Sequence, residues 1–133
     1  MTLCYLNGEF LPLAEARISP MDRGFLFGDG VYEVIPVYSR RPFRLDEHLG
    51  RLQNSLDDIR LANPLGRDEW HKLVERLVRE SEWSSCSVLL QVMMFVPAAL
   101  AVHVMAVPTG SVSLTYMLKL YATSVTPWLG IYP

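Results

Sequence analysis

The sequence predicts an α+β fold: two layers, a mainly antiparallel sheet with two helices packed on one face. Three observations carry this. Short apolar stretches rich in β-branched and aromatic residues occur in pairs joined by turn residues, which is the pattern of hairpins. Two later stretches carry apolar residues at helical spacing. Another apolar strand-like stretch follows the helices, so strands and helices are grouped rather than strictly alternating.

The elements follow in order. Leu3–Leu6 is a short strand, and Asn7-Gly8 after it is a strong two-residue hairpin signal, because both positions accept positive φ. Residues 9–11 return. Ile18-Ser19-Pro20 interrupts regular structure, since proline lacks a donor and restricts the residue before it. Residues 22–30 read DRGFLFGDG, and Gly24, Gly28 and Gly30 predict a tight loop rather than a helix. Residues 31–38 form a strand in which Pro36 implies an edge position or a bulge. Ser39-Arg40-Arg41 is a polar turn, and residues 42–45 a returning strand.

Asp46 is placed to cap a helix whose apolar stripe is Leu49, Leu52, Leu56 and Ile59. Asn63-Pro64-Leu65-Gly66 ends it. Gly66 or Asp68 opens a second helix with Trp70, Leu73, Val74, Leu77 and Val78 on one face. Residues 81–87 connect to an apolar strand at 87–92.

Composition narrows the function. The 133 residues amount to one domain, or a domain plus a tail. With 12 basic and 14 acidic side chains, the chain lacks the excess of positive charge that drives bulk binding to nucleic acid. Cys4 and Cys86 form neither a disulfide framework nor a zinc pattern, so no metal site is expected and reduced thiols in the cytoplasm are. The N-terminus has no basic segment followed by an apolar run, so no signal peptide is read there.

Charge is distributed unevenly. The first 92 residues hold 11 basic and 14 acidic side chains, and residues 93–133 hold only Lys119. A membrane segment, a buried core segment or a stretch under different selection would each explain this. Residues 88–107 are uncharged and as a helix would span about 30 Å. Gln91, Pro97, His103 and the lack of basic anchors count against a membrane span, which is not expected. Residues 112–121 read as a further strand.

Taken singly, the candidate motifs have structural readings. DRGFLFGDG fits neither nucleotide-binding glycine pattern. Tyr32 follows that loop and points opposite to Glu33. It can serve a site beside the loop or sit in the core. His48 and Arg51 share a helix face, where an arginine can hold a phosphate or simply be solvated. Asp57-Asp58 reads as the wet side of the same helix and His71 as a helix-surface histidine. No serine or cysteine nucleophile motif is present.

As a set, DRGFLFGDGVYEV, the hairpin and DEHLGRLQNSLDDIRL resemble the N-terminal domain of the fold-type IV (class IV) pyridoxal-phosphate-dependent aminotransferases. LNGEF and residues 68–79 fit as well, and the GDGVYEV version looks closest to D-amino-acid transaminases. Branched-chain aminotransferases and aminodeoxychorismate lyases are the alternative lineages. The resemblance covers residues 3–92, which defines an expected domain 1–92 and an unmatched, charge-poor tail 93–133. A shifted reading frame would produce such a tail.

The resemblance implies the small α/β domain of a two-domain enzyme with pyridoxal phosphate between the domains. The reaction it implies is amino transfer between an amino acid and a 2-oxo acid. Arg51 corresponds to the arginine that holds the cofactor phosphate, and Tyr32 to the tyrosine near the substrate carboxylate. Asp22, Arg23, Gly28 and Gly30 would shape the loop that positions Tyr32. Family members are dimers or larger, so a homo-oligomer or pairing with an intact homologue is expected. After Val92 the family's Thr-Arg-Gly-like turn and basic loop are missing, and no arginine follows Arg79. Lys72 is on the wrong helix, and the surroundings of Lys119 do not resemble the Schiff-base lysine segment. No catalytic residue is therefore assigned, and the expected chain is an inactive aminotransferase-like fragment.

Overall fold

The computed structural model describes residues 2–94 and 100–108. Six strands form one antiparallel sheet: β1 (Leu3–Leu6), β2 (Glu9–Pro12), β3 (Gly30–Tyr38), β4 (Arg41–Pro42), β5 (Cys86–Met94) and β6 (Leu100–Pro108), in the order β2-β1-β6-β5-β3-β4. The helices α2 (Leu45–Asp58) and α3 (Arg67–Glu80) cover one face, and a short α1 (Arg23–Phe27) lies against β5. This is the expected two-layer arrangement.

Asn7 and Gly8 have φ of 50° and 104°, which closes the β1–β2 hairpin as the sequence implied. In β3 the carbonyl of Pro36 accepts from Phe43 N at 2.8 Å, so the donorless side of Pro36 faces the two-residue β4. From Gly30 to Ile35 the outer side of β3 has no strand partner among the described residues.

The main core lies between sheet and helices. Ile35, Val37, Val88, Leu90, Val92 and Val104 face Leu52, Leu56, Trp70, Val74 and Leu77, all essentially inaccessible. Trp70 is anchored at both ends, its ring packed and its Nε1 donating to Asn63 Oδ1 at 2.9 Å. On the other face a smaller cluster joins Cys4, Ala16, Leu89, Met105 and Val107. Both thiols are buried, and burial pushes Cys4 up to about 11.

Several local expectations are corrected. Residues 22–30 contain a helical turn, because Asp22 Oδ1 accepts from Gly24 N at 2.7 Å and the Asp22 carbonyl from Leu26 N at 2.9 Å. Gly28, at φ 68°, then ends α1. Asp46 does not cap α2. The residue before the helix is Arg44, in the left-handed region at φ 51°, and this kink also cuts the returning strand to Arg41–Pro42. Asp46 instead links the helices, accepting from Arg67 Nη2 at 2.6 Å and contacting His71 Nε2 at 2.8 Å. Ile59 lies past the end of α2 and is exposed. Gly66 precedes α3, and its N–H donates to Glu69 Oε2 at 2.7 Å.

The sheet continues beyond Val92, where the charge drops. β5 runs to Met94, and β6 pairs with it along nine residues. Of the three explanations for the loss of charge, burial therefore accounts for residues 102–107. Of the stretch 88–107 weighed as a membrane helix, residues 88–94 lie in β5 and 100–107 in β6, and no described helix is long and apolar enough to cross a membrane. The strand expected at 112–121, and Lys119 within it, lie outside the described residues.

Candidate functional site

Strand alternation divides β3 between the two faces of the sheet. Val31, Ile35 and Val37 join the core under the helices, and Glu33 shares their phase. Its side chain is 6 % exposed, a carboxylate placed among apolar residues. Burying such a charge is costly unless it is paired. Arg51, two turns into α2, supplies the partner, its Nη2 donating to Glu33 Oε1 at 2.9 Å. The Val34 backbone N–H donates to the same oxygen at 3.2 Å. His48, one turn before Arg51, brings Nδ1 to 3.2 Å from that oxygen but out of line for a hydrogen bond.

The guanidinium itself is mostly outside, with the Arg51 side chain 69 % exposed. Among the described residues one of its nitrogens is engaged, by Glu33, out of a group that carries five N–H donors. Tyr32 lies on the opposite face and is 66 % exposed, which removes the core reading of this residue. It sits across from Gln91 on β5, and Gln91 across from His103 on β6. The two expected site residues are thus not in contact. Arg51, through Glu33, and Tyr32 lie on opposite faces of β3, whose outer side is open from Gly30 to Ile35 among the described residues.

The segment expected to shape the site lies across the Tyr32 face. Arg23 pairs with Asp29 and stacks over Phe27, 5.0 Å from the ring centre. A Cβ on Gly30 would lie 2.7 Å from the Val92 carbonyl, and one on Gly24 2.6 Å from Met93 Sδ, so both glycines permit close approach to β5. Beneath the segment Asp22, Gln91 and His103 are buried. Burial lowers the pKa of His103, and the Asp22 charge opposes this without cancelling it.

Two features escaped the sequence reading. Glu33 was legible as the one charge in the buried phase of an alternating strand. The Asp22–Gln91–His103 row was not, because it joins three separate elements. Asp57 and Asp58 are exposed, Asp57 accepting from Gln53, and His71 pairs with Asp46 on the helix surface.

The residues fit one end of pyridoxal phosphate. Arg51 offers a planar, outward donor edge of the kind that binds phosphate. No lysine stands near it among the described residues. Lys72 lines a shallow hollow with Tyr5, Phe10 and Arg76, at the β1–β2 end of the sheet.

Comparison with known proteins agrees with this geometry. The family profile for amino-transferase class IV matches residues 30–125. The D-alanine aminotransferase of Staphylococcus epidermidis is 36 % identical over 91 residues, covering 68 % of this chain and 32 % of the relative. That of Listeria monocytogenes serotype 1/2a is 38 % identical over 87 residues, covering 65 % and 30 %. The chain thus spans about a third of the length of these relatives. Among solved structures, the Escherichia coli branched-chain amino acid aminotransferase superposes with a TM-score of 0.74 at 22 % identity, over 81 % of this chain and 40 % of that one. A T.th. branched-chain amino acid aminotransferase complexed with N-(5′-phosphopyridoxyl)-L-glutamate gives 0.74 at 28 %, over 84 % and 41 %. The fold is that of the small domain of fold-type IV aminotransferases. With the class IV profile spanning residues 30–125 and relatives at 36–38 % identity, this chain belongs to the class IV aminotransferase family.

Proposed function

We propose that this chain is the small-domain part of a pyridoxal-phosphate-dependent aminotransferase that exchanges an amino group between an amino acid and a 2-oxo acid. The observation that carries the reading is Arg51, braced on buried Glu33 and open to solvent beside the free edge of β3. Residues 3–108 act as one unit, with the charge-poor segment after Val92 supplying its last strand. A D-amino acid is the favoured donor, since the similarity to D-alanine aminotransferases is higher than to the branched-chain enzymes.

When bound, the cofactor supplies the carbonyl through which the amino group is exchanged. Arg51 holds its phosphate, and Tyr32 presents its hydroxyl toward the substrate carboxylate from the other side of the edge. The 133-residue chain alone does not transaminate, because Lys72 stands at the far end of the sheet and Lys119 lacks the family's surroundings.

Titrating the chain with pyridoxal phosphate and with pyridoxal tests the assignment. Loss of the phosphate, or Arg51→Ala, weakens binding by about tenfold or more. Equal affinities for the two compounds, or no effect of the substitution, contradict it. Incubation with D-alanine, 2-oxoglutarate and the cofactor yields no pyruvate above the cofactor-only background, and clear production of pyruvate contradicts the expected inactivity.

A second reading is favoured by the exposed side chains of Met21, Leu26, Phe27 and Tyr32 along the glycine-rich segment. The chain then pairs with an intact homologue or a second copy through this side. Co-purification with a full-length class IV aminotransferase, lost on Phe27→Asp, supports it. Unchanged recovery of that variant counts against it.

A further inference from the structure

We infer that Glu33 is a positioning residue for the phosphate grip. Its buried carboxylate fixes the Arg51 guanidinium, so that the solvent-facing donor edge is presented ready-made to an anion. This inference rests on the reading of Arg51 given above.

The Arg51–Glu33 pair is asymmetric in exposure. Arg51 is 69 % exposed and Glu33 6 %. An arginine at that exposure ordinarily samples many rotamers, and a pair with an equally exposed acid would do little to stop it. Glu33 is not such an acid. It sits on β3, which pairs residue by residue with β5, and Oε1 also accepts from Val34 N–H at 3.2 Å. The His48 ring stands 3.2 Å from the same oxygen, and α2 itself packs on β3. The carboxylate cannot follow a wandering guanidinium, so the guanidinium is held to the carboxylate. The contact uses one Arg51 nitrogen at 2.9 Å, on a side chain that is otherwise 69 % exposed.

Charge makes the inference testable in sign. A carboxylate beside an anion site repels the anion. If Glu33 acted only through its charge, removing it would tighten phosphate binding. If it acts by orienting Arg51, removing it weakens binding although the repulsion is gone.

The experiment uses the 133-residue chain with Glu33→Ala, Glu33→Gln and Arg51→Ala. Two quantities are read: the heteronuclear NOE of the Arg51 Nε–H group in the free protein, and the affinity for inorganic phosphate. Near-ultraviolet circular dichroism reports the fold. In the parent chain Arg51 Nε–H is ordered. Glu33→Ala makes it mobile and weakens phosphate binding about tenfold, the size of one lost charge-assisted hydrogen bond. Glu33→Gln keeps a neutral acceptor and falls between the two, and it decides the question if the alanine variant does not fold. A mobile Arg51 Nε–H in the parent chain overturns the inference. Unchanged order and unchanged or tighter phosphate binding in both Glu33 variants, with binding still lost in Arg51→Ala, overturns the role of Glu33 alone. Undiminished binding in Arg51→Ala overturns the assignment of Arg51 and the inference with it.

Discussion

The two faces of the sheet are built on different principles. Under α2 and α3 the sheet is apolar, closely packed and interrupted, among the described residues, by the charge of Glu33, whose Oε1 accepts from Arg51 and from the Val34 backbone. Under the glycine-rich segment the apolar cluster is small, three polar residues are buried together, and large apolar side chains remain exposed. The first face holds the domain together and braces Arg51 from behind. The second presents Tyr32 and depends on close backbone approach rather than on a large core. The proposed site is the edge where these faces meet.

Substitutions sharpen the contrast. Trp70→Ala empties the centre of the helix-covered face and should cost about 3–5 kcal/mol, measured by denaturant unfolding. A loss below 1 kcal/mol would mean that this face is not the main source of stability.

On the other face Gly30→Ala should cost about 1–3 kcal/mol through overpacking. The new methyl would press on the Val92 carbonyl, which cannot move aside. Gly24→Ala meets mainly the side chain of Met93, whereas Gly30→Ala meets Met93 Sδ and the Val92 carbonyl together, so Met93→Ala should relieve most of the first clash and only part of the second. Equal relief of both would show that the backbone approach at Gly30 is not the constraint.

Acid should act unequally on the two faces. Because burial holds His103 below its usual 6.5, the unfolded chain takes up protons in that window that the folded chain refuses. Its contribution is complete above pH 6.5 and is lost as pH falls below that value. His103→Gln should flatten this part of the stability profile.

The smallest effect is expected at Asp46. Hydrogen bonds from Arg67 and then His71 hold its carboxyl below the usual 3.8, so its contribution is present above that pH and fades below it. Asp46→Asn should alter only the extreme acid limb. If Asp46→Asn instead flattened the profile near pH 6, the assignment to His103 would fail.

Much of the helix-covered layer was legible because its signals are local. Asn7-Gly8 imposes its own turn, and Trp70 to Val78 repeats at helical spacing with Gly66 in front. The elements that were missed depend on distant partners. β6 is buried on both faces over residues 102–107, Val104 on one and Met105 on the other, so apart from His103 it reads as an apolar run with no alternation. α1 exists because Asp22 folds back on Gly24, which outweighs the glycine content that suggested a loop. Arg51 and Tyr32 were found by resemblance. Their position on either side of one open edge required the strand order, and the pairing of Glu33 with Arg51 required the α2–β3 contact.

The proposed function requires that Arg51 grip the cofactor phosphate and that neither Lys72 nor Lys119 supply the amine for its other end. Borohydride reduction of the chain with pyridoxal phosphate, followed by peptide mass analysis, measures this directly. The expected result is phosphate-dependent, reversible binding without a stoichiometric adduct on Lys72 or Lys119. A stoichiometric adduct on either lysine, abolished by Arg51→Ala, would contradict it.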